Sequence, residues 1–138
     1  PDKKMSKSVN DPAGTILLND KTEEAAKKVM SATTDSIGQI NFNWNNQPGI
    51  TNLLQILSLL SGSSQDEVNS QWVGKSSYGE LKTAVATSIE ATLGQIQNNL
   101  QAVNEDDLSE KLKISEKYMN EVANIQLLKV QQAVGLRP

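Results

Sequence analysis

The chain has 138 residues, 37% of them hydrophobic, and contains no cysteine and no histidine. These two absences exclude a disulfide framework, a thiolate or imidazole metal site, and a Ser-His or Cys-His catalytic pair. The formal net charge of −3 does not fit a general nucleic-acid binder with a basic face, so any RNA contact should be local and use bases or a few lysines.

The first predicted element is a cationic loop with a connector, residues 1–18, that ends in the apolar stretch 15–18. Lys4 and Lys7 lie three residues apart, and each is a compact cation that can meet phosphate oxygens as a point charge. The serines between and after them add hydroxyl donors. This chemistry suits a polyphosphate whose charge grows during a reaction. Taken without further context, an exposed and frayed lysine-rich end is the simpler interpretation.

Two helices are predicted next, separated by a loop. The first covers about residues 21–31, with Asn19 or Asp20 as its N-cap. The second begins at Pro48, a residue favoured in the first helical turn, and ends at Gly62. Apolar residues cover more than half the circumference of this second helix, which predicts that it is the buried centre of a bundle.

Three further helices complete a predicted all-α helical bundle. Residues 64–67 read as a capping box for a short helix that stops at Gly74. Apolar residues at spacings of three and four predict long amphipathic helices over about 78–103 and about 105–135. We expect these two to pack antiparallel, joined by a short turn near Asn104. Gly94 within the first of them is expected to allow a close helix crossing.

The loop between the first two helices holds the remaining candidates for function. It contains the turn Thr34-Asp35-Ser36 and an Asn-rich stretch around Phe42 and Trp44. The simpler interpretation of the two aromatic residues is that they plug the hydrophobic core. The alternative is a stacking platform for an unpaired base. The acidic triplet 105–107 is predicted to start a helix and not to bind a metal.

Residues 4–8 read Lys-Met-Ser-Lys-Ser, which resembles the KMSKS signature of the class I aminoacyl-tRNA synthetases. Further stretches resemble the bacterial tryptophanyl enzymes of that family, and together they extend the resemblance from Lys3 to Gly135. The tyrosyl enzymes carry a similar loop, but they do not usually continue into a Thr-Asp-Ser turn and a Pro-Gly-Ile-(Ser/Thr)-Asn-Leu-Leu helix start. The stretches that carry this resemblance are 10–12, 16–20, 33–36 and 48–54.

The resemblance implies a carboxy-terminal segment in two parts. Residues 1–18 would be the catalytic loop and connector at the end of a nucleotide-binding domain, and residues 19–138 the helical tRNA anticodon-binding domain. The His-containing signature of the family, its tryptophan pocket and its dimer interface would lie outside this chain. The segment alone is therefore predicted to be inactive, and to bind no cofactor by itself.

The implied activity of the full-length enzyme is tryptophan–tRNA ligation, with tryptophan, ATP with Mg²⁺ and tRNA(Trp) as substrates. Lys4 and Lys7 would be catalytic, and they would bind the ATP phosphates together with Met5, Ser6 and Ser8. The resemblance assigns no tRNA-contacting residues and no protein metal site. It also implies a cytoplasmic homodimer without membrane contact. The alternative function is a stand-alone helical module that binds RNA or protein and has no catalytic activity.

Overall fold

The computed structural model describes residues 11–137, so the lysine loop at 4–8 lies outside the described residues. Within residues 11–137 the chain forms five α-helices and no β-strand, which confirms the predicted all-α fold. None of these five helices combines the length and the apolar character that a membrane crossing needs. The helices are α1 (Thr22–Met30), α2 (Pro48–Ser61), α3 (Gln65–Trp72), α4 (Tyr78–Gln101) and α5 (Glu105–Ala133).

Helix α1 begins without the predicted cap. Its N-cap is Lys21, which makes no side-chain cap hydrogen bond, so the prediction of Asn19 or Asp20 is wrong. The Asp20 carboxylate instead accepts a hydrogen bond from the Leu17 amide and pairs with Lys28. Acidic residues in the first turn and basic residues in the last turn complement the helix dipole.

Helix α2 lies at the centre of the core, as predicted. It begins at Pro48, whose missing N–H would be unpaired in the first turn anyway. It ends at Gly62, whose φ of 71° is a left-handed conformation that favours glycine. Leu59 departs from the prediction because its side chain is 81% exposed. The buried residues of the helix are Ile50, Thr51, Leu53, Leu54, Leu57 and Ser58.

Helix α3 carries the predicted capping box and closes the core. The Ser64 hydroxyl accepts the Glu67 amide N–H, and the Glu67 carboxylate accepts the Ser64 amide N–H at 2.8 Å. The bond from the Ser64 backbone lowers the pKa of Glu67. The helix is followed by Gly74, with a φ of 78°, as the stop that the sequence predicts. Val68 and Trp72 of α3 join Leu81 and Val85 of α4 in the hydrophobic cluster around α2.

The chain divides into two compact units, the first ending at Asn98 and the second beginning at Asn99. All of α5 belongs to the second unit. Its N-cap is Asn104, whose side-chain oxygen accepts the amide N–H groups of Asp106 and Asp107 at 2.8 and 3.2 Å. This cap confirms the predicted helix start.

Helix α5 carries no buried residue. Its apolar residues, among them Leu112, Tyr118 and Ile125, are about 60% exposed. The apolar periodicity of the sequence therefore predicts helix α5 correctly, but the apolar residues of this helix are not buried. The antiparallel packing of the two long helices and the domain boundary at residue 18 both stay predictions.

Replacing Gly49 with alanine should destabilise the fold. A Cβ at this position would clash with the carbonyl oxygen of Thr33, and a backbone atom cannot move aside as easily as a flexible side chain. We expect the free energy of unfolding to fall by about 1–3 kcal/mol, which is typical of overpacking. Urea unfolding of the Gly49→Ala variant measures this change.

The matched control is Gly94→Ala in α4. A Cβ there would meet no described atom within 4 Å, and the close crossing predicted at Gly94 stays a prediction. Alanine in a helix interior is about 1 kcal/mol more favourable than glycine, and this variant should therefore be more stable than the parent. Equal effects of the two substitutions would contradict the contact between Gly49 and Thr33.

Candidate functional site

The connector that follows the lysine loop is held by side chains of two helices. The Lys28 ammonium of α1 donates to the Thr15 carbonyl at 2.8 Å and to the Asp20 carboxylate at 2.6 Å. The Gln97 amide of α4 donates to the carbonyls of Leu18 and Asp20 at 2.9 and 2.8 Å. The hydrogen bond from Lys28 lowers the pKa of Asp20. These hydrogen bonds hold the connector in place. Residues 15–18 therefore form no β-strand, although their apolar sequence would permit one.

A cavity of about 490 Å³ lies beside the first described residues of the chain. Asp11 and Gly14 form its rim, and the Gly14 amide donates to the Asp11 carboxylate at 2.9 Å. Lys28 and Asn52 supply polar groups, and most of the exposed surface of the cavity is apolar. Its apolar side chains come from the connector and from three helices, and include Ile16, Val29, Leu53, Ile56 and Ile89.

The predicted turn at Asp35 is fastened to the first turn of α4 and to the residue before α2. The Asp35 carboxylate accepts the Tyr78 hydroxyl at 2.7 Å and the Ile37 amide at 2.9 Å. The Gln47 side chain is 1% exposed. Its amide donates to Asp35 at 3.1 Å, to Tyr78 at 2.9 Å and to the Gln39 carbonyl at 2.8 Å. Asp35 thus links the turn to Tyr78 and Gln47. A tRNA contact by this turn stays a prediction.

The contact between Asp35 and Tyr78 makes stability depend on pH at both ends of the scale. Burial raises the pKa of Asp35, but hydrogen bonds from Tyr78, Ile37 and Gln47 outweigh it, so this pKa lies below 3.8. Burial and the hydrogen bond to Asp35 hold the pKa of Tyr78 above 10.0. The first shift contributes stability above about pH 4 that is lost as the pH falls through the folded pKa. The second contributes stability below about pH 10 that is lost as the pH rises through the folded pKa.

Replacing Tyr78 with phenylalanine should therefore change the shape of the stability profile. We expect the variant to lose the alkaline part of the pH dependence and to show a smaller decline in acid, because Asp35 keeps only its other donors. Unfolding by urea at a series of pH values from about 2 to 11 measures both limbs. The control is Tyr118→Phe, since Tyr118 is 64% exposed on α5. An unchanged alkaline limb in Tyr78→Phe would contradict this assignment.

The Asn-rich loop does not bury its aromatic residues. Phe42 is 37% exposed and Trp44 is 44% exposed, so the prediction that both plug the core is wrong. The core position is taken by Trp72, which is 7% exposed. The indole N–H of Trp72 has no hydrogen-bond partner among residues 11–137, and the ammonium of Lys75 lies 4.6 Å from the centre of its ring. The loop aromatics are therefore available at the surface of the described structure.

Sequence reasoning missed the four polar side chains that hold these loops. Lys28 and Gln97 lie on helices and resemble ordinary surface residues in the sequence, whereas Gln47 directly precedes the proline of α2. Tyr78 marks the start of a helix, and its partner Asp35 lies 43 residues earlier. The predicted site residues Lys4, Met5, Ser6, Lys7 and Ser8 lie outside the described part of the chain.

Comparison with known proteins begins with a family model described as tRNA synthetases class I (W and Y), which matches residues 1–94. The chain is 40% identical to a tryptophan–tRNA ligase of Malacoplasma penetrans and 41% identical to one of Halalkalibacterium halodurans, each over 137 residues. Both alignments cover 99% of this chain and 41% of the relative. The chain therefore spans about two fifths of the length of these relatives.

A solved structure shows the same fold. The crystal structure of tryptophanyl-tRNA synthetase from Mycoplasma pneumoniae is similar to this chain with a TM-score of 0.80 and 30% sequence identity. The similarity covers 98% of this chain and 41% of that protein. These matches confirm the predicted resemblance to the tryptophanyl enzymes.

Proposed function

We propose that this chain, which belongs to the class I tRNA synthetases of the W and Y group, is the C-terminal part of a tryptophan–tRNA ligase. One observation carries the proposal. Relatives named tryptophan–tRNA ligase are about 40% identical across 99% of the chain, and the family match begins at residue 1. It therefore includes the lysine segment that supplies phosphate chemistry.

In the full-length enzyme, the tryptophan carboxylate attacks the α-phosphate of ATP. The bond from the α-phosphate to the bridging oxygen breaks, which gives tryptophanyl-adenylate and pyrophosphate. A ribose hydroxyl at the tRNA end then attacks the activated carbonyl and releases AMP. Lys4 and Lys7 stabilise the charge that builds on the departing pyrophosphate, a task of positioning and electrostatics that needs no proton transfer.

The remaining residues of the lysine segment support this task. Ser6 and Ser8 donate hydrogen bonds to the ATP phosphates as the loop closes, and Met5 anchors the loop against the fold. ATP enters with Mg²⁺ as a substrate complex, and the residues that the structure describes contain no group of three or more acidic side chains that could hold a metal ion. The absence of histidine fits a division of labour in which the His-containing signature lies in the preceding nucleotide-binding domain.

Residues 19–138 form the tRNA anticodon-binding domain in this proposal, and residues 1–18 connect it to the nucleotide-binding domain. The side chains of Lys28 and Gln97 attach the connector to α1 and α4, so the helical domain holds the connector that leads to the lysine segment. The enzyme acts in the cytoplasm as a homodimer whose interface lies outside this chain.

Tryptophan-dependent exchange of pyrophosphate into ATP by the full-length protein tests the proposal. Exchange should require tryptophan and should not be supported by tyrosine at the same concentration. The protein should then charge tRNA bearing a CCA anticodon, with a loss on anticodon change. Exchange that depends on tyrosine would contradict the substrate, and tRNA binding without any exchange would favour the stand-alone binding module.

A further inference from the structure

The loop that joins α1 to α2 presents an aromatic surface flanked by amides. We call residues 41–46 the aromatic loop. It carries Phe42 and Trp44, which are 37% and 44% exposed. The side chains of Asn45 and Asn46 are also exposed and make no hydrogen bond within the described residues. One short segment thus offers exposed aromatic rings together with amide donors and acceptors that make no hydrogen bond within the described residues.

The aromatic loop is held in one conformation by its own hydrogen bonds. The Asn43 amide donates to the buried hydroxyl of Thr51 at 2.8 Å. The Asn43 side-chain oxygen accepts the amides of Asn45 and Asn46 at 3.0 and 3.1 Å. The Gln47 amide donates to the Asn43 carbonyl at 2.8 Å. A surface that is ordered before it meets a ligand loses less conformational entropy on binding. These hydrogen bonds therefore preorganise the aromatic loop for binding.

The charges around the aromatic loop suit a polyanion better than the net charge of the chain suggests. No charged residue occurs between Asp35 and Asp66 in the sequence. The backbone of Ile40 pairs with Gly74 and Lys75 at 2.9 and 2.8 Å, which brings an exposed cation to the segment beside the loop. A phosphate group would therefore meet one lysine and no carboxylate from the loop itself. The Asp35 carboxylate at the base of the loop already accepts hydrogen bonds from Gln47 and Tyr78.

We propose that the aromatic loop binds an unpaired base of the tRNA, with Trp44 as the stacking surface. Aromatic side chains stack any base, and free amides can hydrogen-bond the edge of the stacked base. Asn45 and Asn46 supply these amides, and Lys75 contacts a neighbouring phosphate. The inference rests on the proposed function for the identity of the RNA, but the contact is tested by binding alone.

Equilibrium binding of tRNA to the full-length protein at fixed salt tests the inference. Trp44→Leu keeps an apolar side chain but removes the ring, and it should raise the Kd by about 5- to 100-fold, given ~1–3 kcal/mol for a stacked base. Trp44→Phe keeps a stacking face, so its Kd should stay within about 3-fold of the parent. Lys75→Gln should weaken binding and lower the slope of log K against log salt by about one.

Leu59→Ala is the matched control, because Leu59 is an exposed apolar residue of α2 outside the loop. Its Kd should equal that of the parent. tRNAs with one abasic nucleotide at a time in the unpaired loops locate the contact. When the abasic nucleotide is at the position that Trp44 contacts, Trp44→Leu and the parent protein should bind that tRNA with the same Kd. Thermal unfolding confirms that each variant is folded.

Two outcomes would overturn the inference. One is an unchanged Kd in Trp44→Leu, and the other is a change in oligomeric state, which would make the aromatic loop a protein interface. Tryptophan-dependent exchange by the parent protein is measured separately. Its absence would remove the proposed ligase function while a Trp44-dependent tRNA contact would still stand.

Discussion

Replacing Lys7 with alanine in the full-length enzyme should lower the rate of adenylate formation by about 100-fold or more. A donor aimed at charge that develops in the transition state typically contributes a factor of 10²–10³, and in the proposed function Lys7 faces the departing pyrophosphate in this way. The affinity for tryptophan should change little, since the proposed function places the amino-acid pocket outside this chain. Single-turnover formation of the adenylate, followed by rapid quench at saturating ATP, measures the step directly.

Lys3→Ala provides the control for this experiment. Lys3 lies in the same cationic segment but precedes the Lys-Met-Ser-Lys-Ser sequence, so its removal lowers the local charge by the same amount. We expect less than a threefold effect on the single-turnover rate. Equal losses in the two variants would show that only the net charge of the segment matters. An unchanged rate in Lys7→Ala would remove the catalytic role from this residue.

Replacing Gln47 with leucine should cost about 2–4 kcal/mol of unfolding free energy. The Gln47 amide is buried and donates to Asp35, Tyr78 and the Gln39 carbonyl. Leucine would leave several of these acceptors short of a donor, and each partly buried group that loses its partner costs about 1–3 kcal/mol. The Asp35 carboxylate makes this more severe, because hydrogen bonds to charged groups are stronger than neutral ones.

Amide hydrogen exchange gives a local measure of the same change. The amides of Ile37 and Gly38 donate to Asp35 and Tyr78, so their exchange should accelerate in Gln47→Leu. The matched control is Gln55→Leu, a glutamine on α2 whose side chain makes no hydrogen bond within the described residues. Its effect should stay within about 0.5 kcal/mol, as for most surface substitutions. Unchanged exchange at Ile37 and Gly38 would contradict the role of Gln47.

The sequence alone predicts helices and their ends well where residues close in the sequence determine them. The capping box at Ser64 and Glu67 is complete within four residues, and the structure contains both of its hydrogen bonds. Gly62, Gly74 and Gly135 all adopt positive φ after helices, where glycine meets little steric cost. Apolar periodicity likewise finds α2 and α4 because a helix face repeats over several turns.

Tertiary contacts explain where sequence reasoning fails. The Asp20 carboxylate looks like an N-cap, but the ion pair with Lys28 competes for it. Phe42 and Trp44 look like core residues, but Trp72 takes the buried position. The apolar face of α5 predicts burial that its own unit does not provide. The first of these errors arises from a side-chain contact, and the other two from burial, and local sequence patterns reveal neither.

The anchored connector sets an upper limit on the distance between helix α1 and Lys7, a catalytic residue in the proposed function. Thr15 is held by Lys28 of α1, and Lys7 precedes it by eight residues. A fully extended chain covers about 3.5 Å per residue, so the Cα atom of Lys7 must stay within about 28 Å of that attachment. In the proposed function, this attachment of Thr15 therefore sets the greatest distance at which the helical domain can lie from the ATP phosphates that Lys7 contacts.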